Sequence, residues 1–195
     1  MNRIDSLELY PFRMMINNGL GGVMIAHLNI PALDKTPNLP STLSKPIVSD
    51  LLRGKLGFQG LVYSDAMNMK GVTKFFPNGR ADAMGLEAGM DVLEFTEDVS
   101  KSIAEIKKSI AEGKITQEEI DQRCRKVLEA KAWVGLNRYQ PVDLKNLYED
   151  LNPKAAELTN RLLTEKAITV LRNQNDLLPL KNLDSLKIAS ISLGA

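Results

Sequence analysis

Three short apolar runs, each followed by a stretch with helical spacing, limit what this chain can fold into more than any other feature. Gly21-Gly-Val-Met-Ile-Ala-His27, Leu61-Val-Tyr-Ser-Asp65 and Asp91-Val-Leu-Glu-Phe95 are short and largely apolar, as strands buried on both faces of a parallel sheet are. After the first run and a loop with Pro31, Pro37 and Pro40, Ser44 can cap a helix with Pro46 in its first turn and Ile47, Leu51 and Leu52 on one side. After the second run, Ala81 to Ala88 reads as a short helix ended by Gly89. After the third, a helix through Ile103, Ile106 and Ile110 stops at Gly113. Strand and helix alternating three times predict an α/β fold around a parallel sheet with right-handed crossovers.

Helices flank this core. Residues 5–18 place Leu7, Leu9, Phe12, Met15 and Ile16 near helical spacing, with Pro11 as a bend and Gly19 as a C-cap. Thr116-Gln-Glu-Glu119 is a capping box, and it predicts a long helix to Gly135 in which Ile120, Cys124, Val127, Leu128 and Trp133 share a buried side. Residues 138–152 are polar and irregular and read as a linker. Asn152-Pro153 then starts a helix to about Leu171 with Leu158, Leu162 and Leu163 inward. Asp176 to Leu180 is a turn, and Lys187 to Leu193 reads as a buried strand. Residues 153–195 are thus expected to open a second α/β domain, following a first domain at 1–137.

Charge narrows the function classes. Lys and Arg total 25 against 24 Asp and Glu, so no field gathers phosphate backbones or anionic lipid, and nucleic-acid partners are not expected. No apolar run approaches the roughly 18 residues that span a bilayer. Cys124 is the single cysteine, which precludes an internal disulfide, and a buried or half-buried structural thiol is expected. Nothing in the pattern calls for a cofactor or a metal.

In parallel α/β folds the reacting groups gather at the C-terminal ends of strands. The three predicted strands end at His27, Asp65 and Glu94. A carboxylate directly after Leu61-Val-Tyr loses hydration unless donors replace it, so Asp65 is either a functional group or a turn cap. Glu94 reads as a solvated rim carboxylate and His27 as a satisfied strand-end histidine. Met67, Met69 and Met90 read as core or pocket lining.

Gly57-Phe-Gln-Gly-Leu-Val-Tyr-Ser-Asp-Ala-Met-Asn-Met69 resembles the nucleophile segment of family 3 glycoside hydrolases, a strand G-F-x-G-h-h-h-S/T-D followed by x-x-x-M. Other segments are similar to that family in the same order: Glu8-Leu-Tyr-Pro-Phe12, Val23-Met-Ile-Ala-His27, Leu43 to Arg53, Ala88-Gly-Met-Asp-Val-Leu93, Ala167 to Asn173 and Leu177-Leu-Pro-Leu180. The resemblance implies a C-terminal portion of a (β/α)8 barrel over 1–137, about three βα units, then the start of a sandwich-like second domain. It implies Asp65 as the nucleophile of a retaining β-N-acetylglucosaminidase acting on peptidoglycan or chitin-type sugars, with His27 and Met69 toward the sugar. The acid/base of that branch resembles a histidine in a Lys-His-Phe/Tyr-Pro-Gly-His-Gly segment, and no such segment occurs here. A whole barrel takes about 250 residues. The sequence therefore reads as cut at both ends, inactive by itself and prone to self-association through exposed strand edges. Bacterial cytoplasm or periplasm would follow from the resemblance.

Three other readings compete: a β-glucosidase-type family 3 enzyme, a different hydrolase with Asp65 and Glu94 as its carboxylate pair, and a non-catalytic α/β scaffold. In the last, Gly19-Leu-Gly-Gly22 would mimic a phosphate loop, but these glycines precede their strand, which is the wrong order for pyrophosphate.

Overall fold

The computed structural model describes residues 3–189 and 191. Two compact units divide the chain, Met1–Gln140 and Pro141–Ala195.

In the first unit, strands β1 (Gly22–Ile25) and β2 (Leu61–Ser64) pair in parallel, with Val23 opposite Val62 and Ile25 opposite Ser64. Alternation sends their side chains to two faces. Val23 and Val62 enter a helix-covered core with Val48, Leu52, Phe58, Leu86, Met90 and Ile115. Met24, from the other face, is 59% exposed. Gly22 leaves room on that open face, because a Cβ there would stand 3.1 Å from the Tyr63 ring.

The expected third strand at 91–95 is reduced to one parallel bridge, Tyr63 to Val92. Backbone bonds still tie this segment to β2: the Val62 carbonyl accepts from Asp91 and Val92, and Ser64 N–H donates to the Val92 carbonyl. A regular ladder stops because the Asp91 carboxylate takes the Val62 N–H at 2.9 Å, and because Phe95 at φ 49° turns the chain away.

The helices around the core are α1 (Tyr10–Asn17), α2 (Lys70–Thr73), α3 (Arg80–Ala88), α4 (Val99–Ala111) and α5 (Gln117–Trp133). The segment Pro46–Lys55 is also helical but wound with wider i→i+5 bonds, and a second such turn, Ile4–Glu8, precedes α1 with the break at Leu9. Ser44 does not cap Pro46–Lys55 with its hydroxyl. It donates to Asp34 Oδ2 at 2.6 Å, while its carbonyl receives Ile47 and Val48 N–H. Gly89 ends α3 at φ 116°, where a side chain would be strained and would also press on Ser49 and Val48.

Helix α5 carries the predicted capping box at Thr116 and Glu119. Its inward stripe, however, is Ile120, Arg123, Lys126, Val127 and Ala130. The long stems of Arg123 and Lys126 lie over the core while their heads reach the Leu86 carbonyl and Asp91. That rotation leaves Cys124 and Leu128 outside and Trp133 85% exposed, against the expectation that all three are covered.

The second unit holds α6 (Leu147–Leu151), inside the span expected to be an irregular linker, and α7 (Lys154–Ala167), which starts after Pro153. Leu158, Leu162 and Leu163 are exposed rather than inward, because no strand among the described residues of this unit offers them a face. Of the expected strand 187–193, residues 187–189 and 191 have no regular structure, and the rest lies outside the described residues. No helix among the described residues is long and apolar enough to cross a membrane.

Candidate active site

The C-terminal ends of β1, β2 and the 91–94 segment open on one side of the first unit. Strand β2 presents Leu61, Tyr63 and then Asp65 toward the open face, as alternation requires. Asp65 is half-buried. Its N–H donates to the Ile25 carbonyl at 3.0 Å, extending the parallel ladder by one bond, so the backbone beneath the carboxylate is fixed. Oδ1 accepts the Ala66 N–H at 2.8 Å. Asp65 therefore does not lid a helix: its local partner is the peptide immediately following.

The chain then turns sharply over Ala66–Met69, closed by Met69 N–H to the Ala66 carbonyl at 3.0 Å. Met67 anchors this turn in a second apolar cluster with Leu43, Val72 and Ala81, and its N–H reaches the Glu94 carbonyl at 2.9 Å. Met69 projects outward and is exposed. Ser64, fully buried on the helix side, accepts the Glu94 N–H at 2.9 Å. Glu94 thus joins the site through its backbone while its side chain stands in solvent.

His27 lies half-buried with both ring nitrogens engaged: Nδ1 stands 2.6 Å from Thr42 Oγ1 and Nε2 stands 2.9 Å from the Ala66 carbonyl. The sequence alone marks neither Thr42 nor Asp91 as a polar hub. A threonine in a proline-rich loop and an aspartate opening an apolar run carry no pattern that marks a buried polar contact.

Asp91 sits at the opposite, N-terminal end of its segment with its side chain 2% exposed. It pairs with Arg53 at 2.5 Å and Lys126 at 3.3 Å. Arg53 also donates to the Phe58 and Gly60 carbonyls and lies over the Phe58 ring. Burial works to lower the Lys126 ammonium pKa, with Asp91 pulling the other way, and the net shift is downward. A third polar cluster pins α3 to α4, where Arg80 holds both Glu87 oxygens and Ser109 donates to Oε1 at 2.8 Å.

Two clefts, of about 350 and 290 Å³, are lined by Leu43, Lys45, Met84 and Glu87 among others, and by Asp5, Leu9, Pro46 and Asp50 among others. Neither includes Asp65, which lies half-buried at the strand end. Among the described residues no cluster of three or more His, Cys, Asp or Glu side chains is arranged to hold a metal ion.

A parallel α/β layer with an acidic group at the C-terminal end of a buried strand defines a class of α/β enzymes whose chemistry sits on that face. Within that class the chain belongs to glycosyl hydrolase family 3: residues 1–130 match the Glycosyl hydrolase family 3 N terminal domain. A Beta-N-acetylglucosaminidase/beta-glucosidase of Cellulomonas fimi is 28% identical over 177 residues, which cover 87% of this chain and 31% of that protein. The solved family 3 beta-N-acetylglucosaminidase of Paenibacillus sp. str. FPU-7 superposes with TM-score 0.75 at 32% identity, covering 89% of this chain and 33% of that one. The Beta-glucoside phosphorylase BglX superposes with TM-score 0.76 at 27% identity over 87% of this chain and 32% of its own. The chain spans about a third of the length of these relatives.

Proposed function

We propose that this chain supplies the nucleophile part of a retaining family 3 glycoside hydrolase, with Asp65 as the nucleophile. The observation that carries the reading is the half-buried Asp65 carboxylate on the open face, directly after β2 and inside the segment matched to the family. In this reading residues 1–137 contribute about three βα units to the C-terminal portion of a (β/α)8 barrel. Residues 138–152 form a linker, and 153–195 begin a second α/β domain.

The Asp65 carboxylate attacks the anomeric carbon, the bond from that carbon to the leaving oxygen breaks, and a glycosyl ester of Asp65 forms. Water then displaces Asp65 at the same carbon, and configuration is retained. A second group, about 5 Å away across the sugar, protonates the leaving oxygen and later deprotonates the water. His27 is not that group, because its ring is bound on both sides within the protein.

The substrate we assign is a terminal β-linked N-acetylglucosamine of peptidoglycan or chitin type. The names of the Cellulomonas and Paenibacillus relatives support this choice. A β-glucoside-cleaving enzyme is the second reading, favoured by the double name of the Cellulomonas relative. Met69, exposed beside the nucleophile, is the residue here best placed to touch the sugar.

Alone, the 195 residues should release no 4-nitrophenol from the N-acetyl-β-glucosaminide, and the bare sheet face at Met24 should drive self-association. A monodisperse monomer by light scattering would contradict the second point. The function itself is tested by grafting Met1–Gln140 into the Paenibacillus enzyme in place of the equivalent segment. The chimera should hydrolyse the chromogenic substrate and Asp65→Ala should abolish turnover. A folded chimera whose turnover survives Asp65→Ala sinks the proposal.

A further inference from the structure

We infer that His27 and Thr42 form a relay that positions the Asp65 carboxylate, acting through Ala66 and not through the sugar. The inference rests on the reading of Asp65 as the nucleophile. A carbonyl oxygen accepts and never donates, so the 2.9 Å contact with the Ala66 carbonyl puts a hydrogen on His27 Nε2. In the tautomer with one ring hydrogen, Nδ1 is then an acceptor, and the Thr42 hydroxyl donates to it at 2.6 Å. That hydroxyl has one hydrogen, and its other neighbours, the Ala26 and Ile25 carbonyls, lie farther off at 3.1 and 3.4 Å.

The two ends of the relay are both fixed. Thr42 is fully buried, and Ser41 beside it binds the Ala26 carbonyl and the Leu28 N–H, which locks the 41–43 turn onto the end of β1. At the other end Ala66 is gripped twice. Its carbonyl takes the His27 ring and its N–H holds Asp65 Oδ1 at 2.8 Å. Gly71 packs close to the root of the His27 side chain, where one added carbon would come within 3.3 Å of the His27 Cβ. A nucleophile needs one oxygen held and the other free to approach carbon. The relay fixes which is which, leaving Oδ2 as the attacking atom.

His27 is the single histidine, so ring nitrogen spectra of the ¹⁵N-labelled 195-residue chain need no assignment by mutation. The expected signature is one ring N–H, on Nε2, slow enough in exchange to be seen, with Nδ1 of acceptor type. A hydrogen on Nδ1, or no observable ring N–H, overturns the relay whatever any variant does. Thr42→Val removes the donor at constant shape. It should move the Asp65 carboxyl carbon resonance and speed exchange of the Ala66 amide by roughly tenfold, the effect of one neutral hydrogen bond on a local opening equilibrium. Thr42→Ser keeps the hydroxyl and should restore both. An unmoved Asp65 resonance in folded Thr42→Val refutes the inference. If the relay is seen but Asp65→Ala spares turnover in the chimera, the nucleophile reading falls instead.

Discussion

Asp91 is a position where loss of one polar side chain should cost this fold heavily. Alanine there leaves the buried Val62 N–H without its acceptor, at about 1–3 kcal/mol, and removes a charge-assisted bond from Arg53, at about 1.5–3 kcal/mol. Arg53 keeps the Phe58 and Gly60 carbonyls and its side chain is 20% exposed, so its share falls at the low end. Lys126, 33% exposed, can turn to water at almost no cost. The sum is about 3–4 kcal/mol, within the range of roughly 3–5 for breaking a buried pair on one side. At about 2–4 °C per kcal/mol this lowers the melting midpoint by roughly 10 °C. Asp91→Asn retains an oxygen for Val62 and should cost less than half as much. Urea and thermal unfolding followed by far-UV circular dichroism measure both. Asp91→Ala within 1 kcal/mol of the parent, on the roughly 1.4 kcal/mol scale of a tenfold change, refutes the account. Asn as costly as Ala would show that the charge, and not the Val62 bond, carries the effect.

Three further outcomes follow from the packing and charge just described. Gly60→Ala places a Cβ against the Gly21 carbonyl oxygen and 2.6 Å from Phe58 Cζ, so unfolding should show a loss of at least the roughly 1–3 kcal/mol of overpacked sites. Burial works to raise the Glu87 carboxyl, but the bonds from Arg80 and Ser109 outweigh it and hold the group below its usual 4.5. Its stabilisation is complete above that value and is lost as pH falls through the lower folded value, so an acid titration should be steeper for the parent than for Glu87→Gln below about pH 4.5. Thr116→Ala opens the capping box of α5 and should cost about 1 kcal/mol in the same urea assay, with Thr116→Ser nearly neutral.

The helices and strands that depend on local pattern were legible from residues alone. Val23 and Val62 declared the sheet, Gly89 and Gly113 the ends of α3 and α4, and Thr116 with Glu119 the start of α5. What depended on distant partners was not. The 91–95 run is apolar enough for a strand, but its own Asp91 carboxylate takes the donor that a ladder would use. Cys124 looked covered because helical spacing cannot tell which of two adjacent stripes the core accepts, and the aliphatic stems of Arg123 and Lys126 won. For the site, Asp65 stood out because a carboxylate follows an apolar strand. Thr42 could not be found, since its partner His27 is 15 residues away across a loop with no periodicity.

Because adjacent residues of β2 leave opposite sides of the ribbon, the placement of the carboxylate depends on counting in twos. Deleting or inserting one residue between Gly60 and Asp65 would swing the acid into the oily layer beside Val48 and send its neighbour to the opposite side. A change of two would keep its side but carry it about 7 Å along the strand, past the grip of Ala66. Length variation in this lineage is therefore expected in the loop before Ser41, and neither within Leu61 to Asp65 nor in the turn that grips the acid.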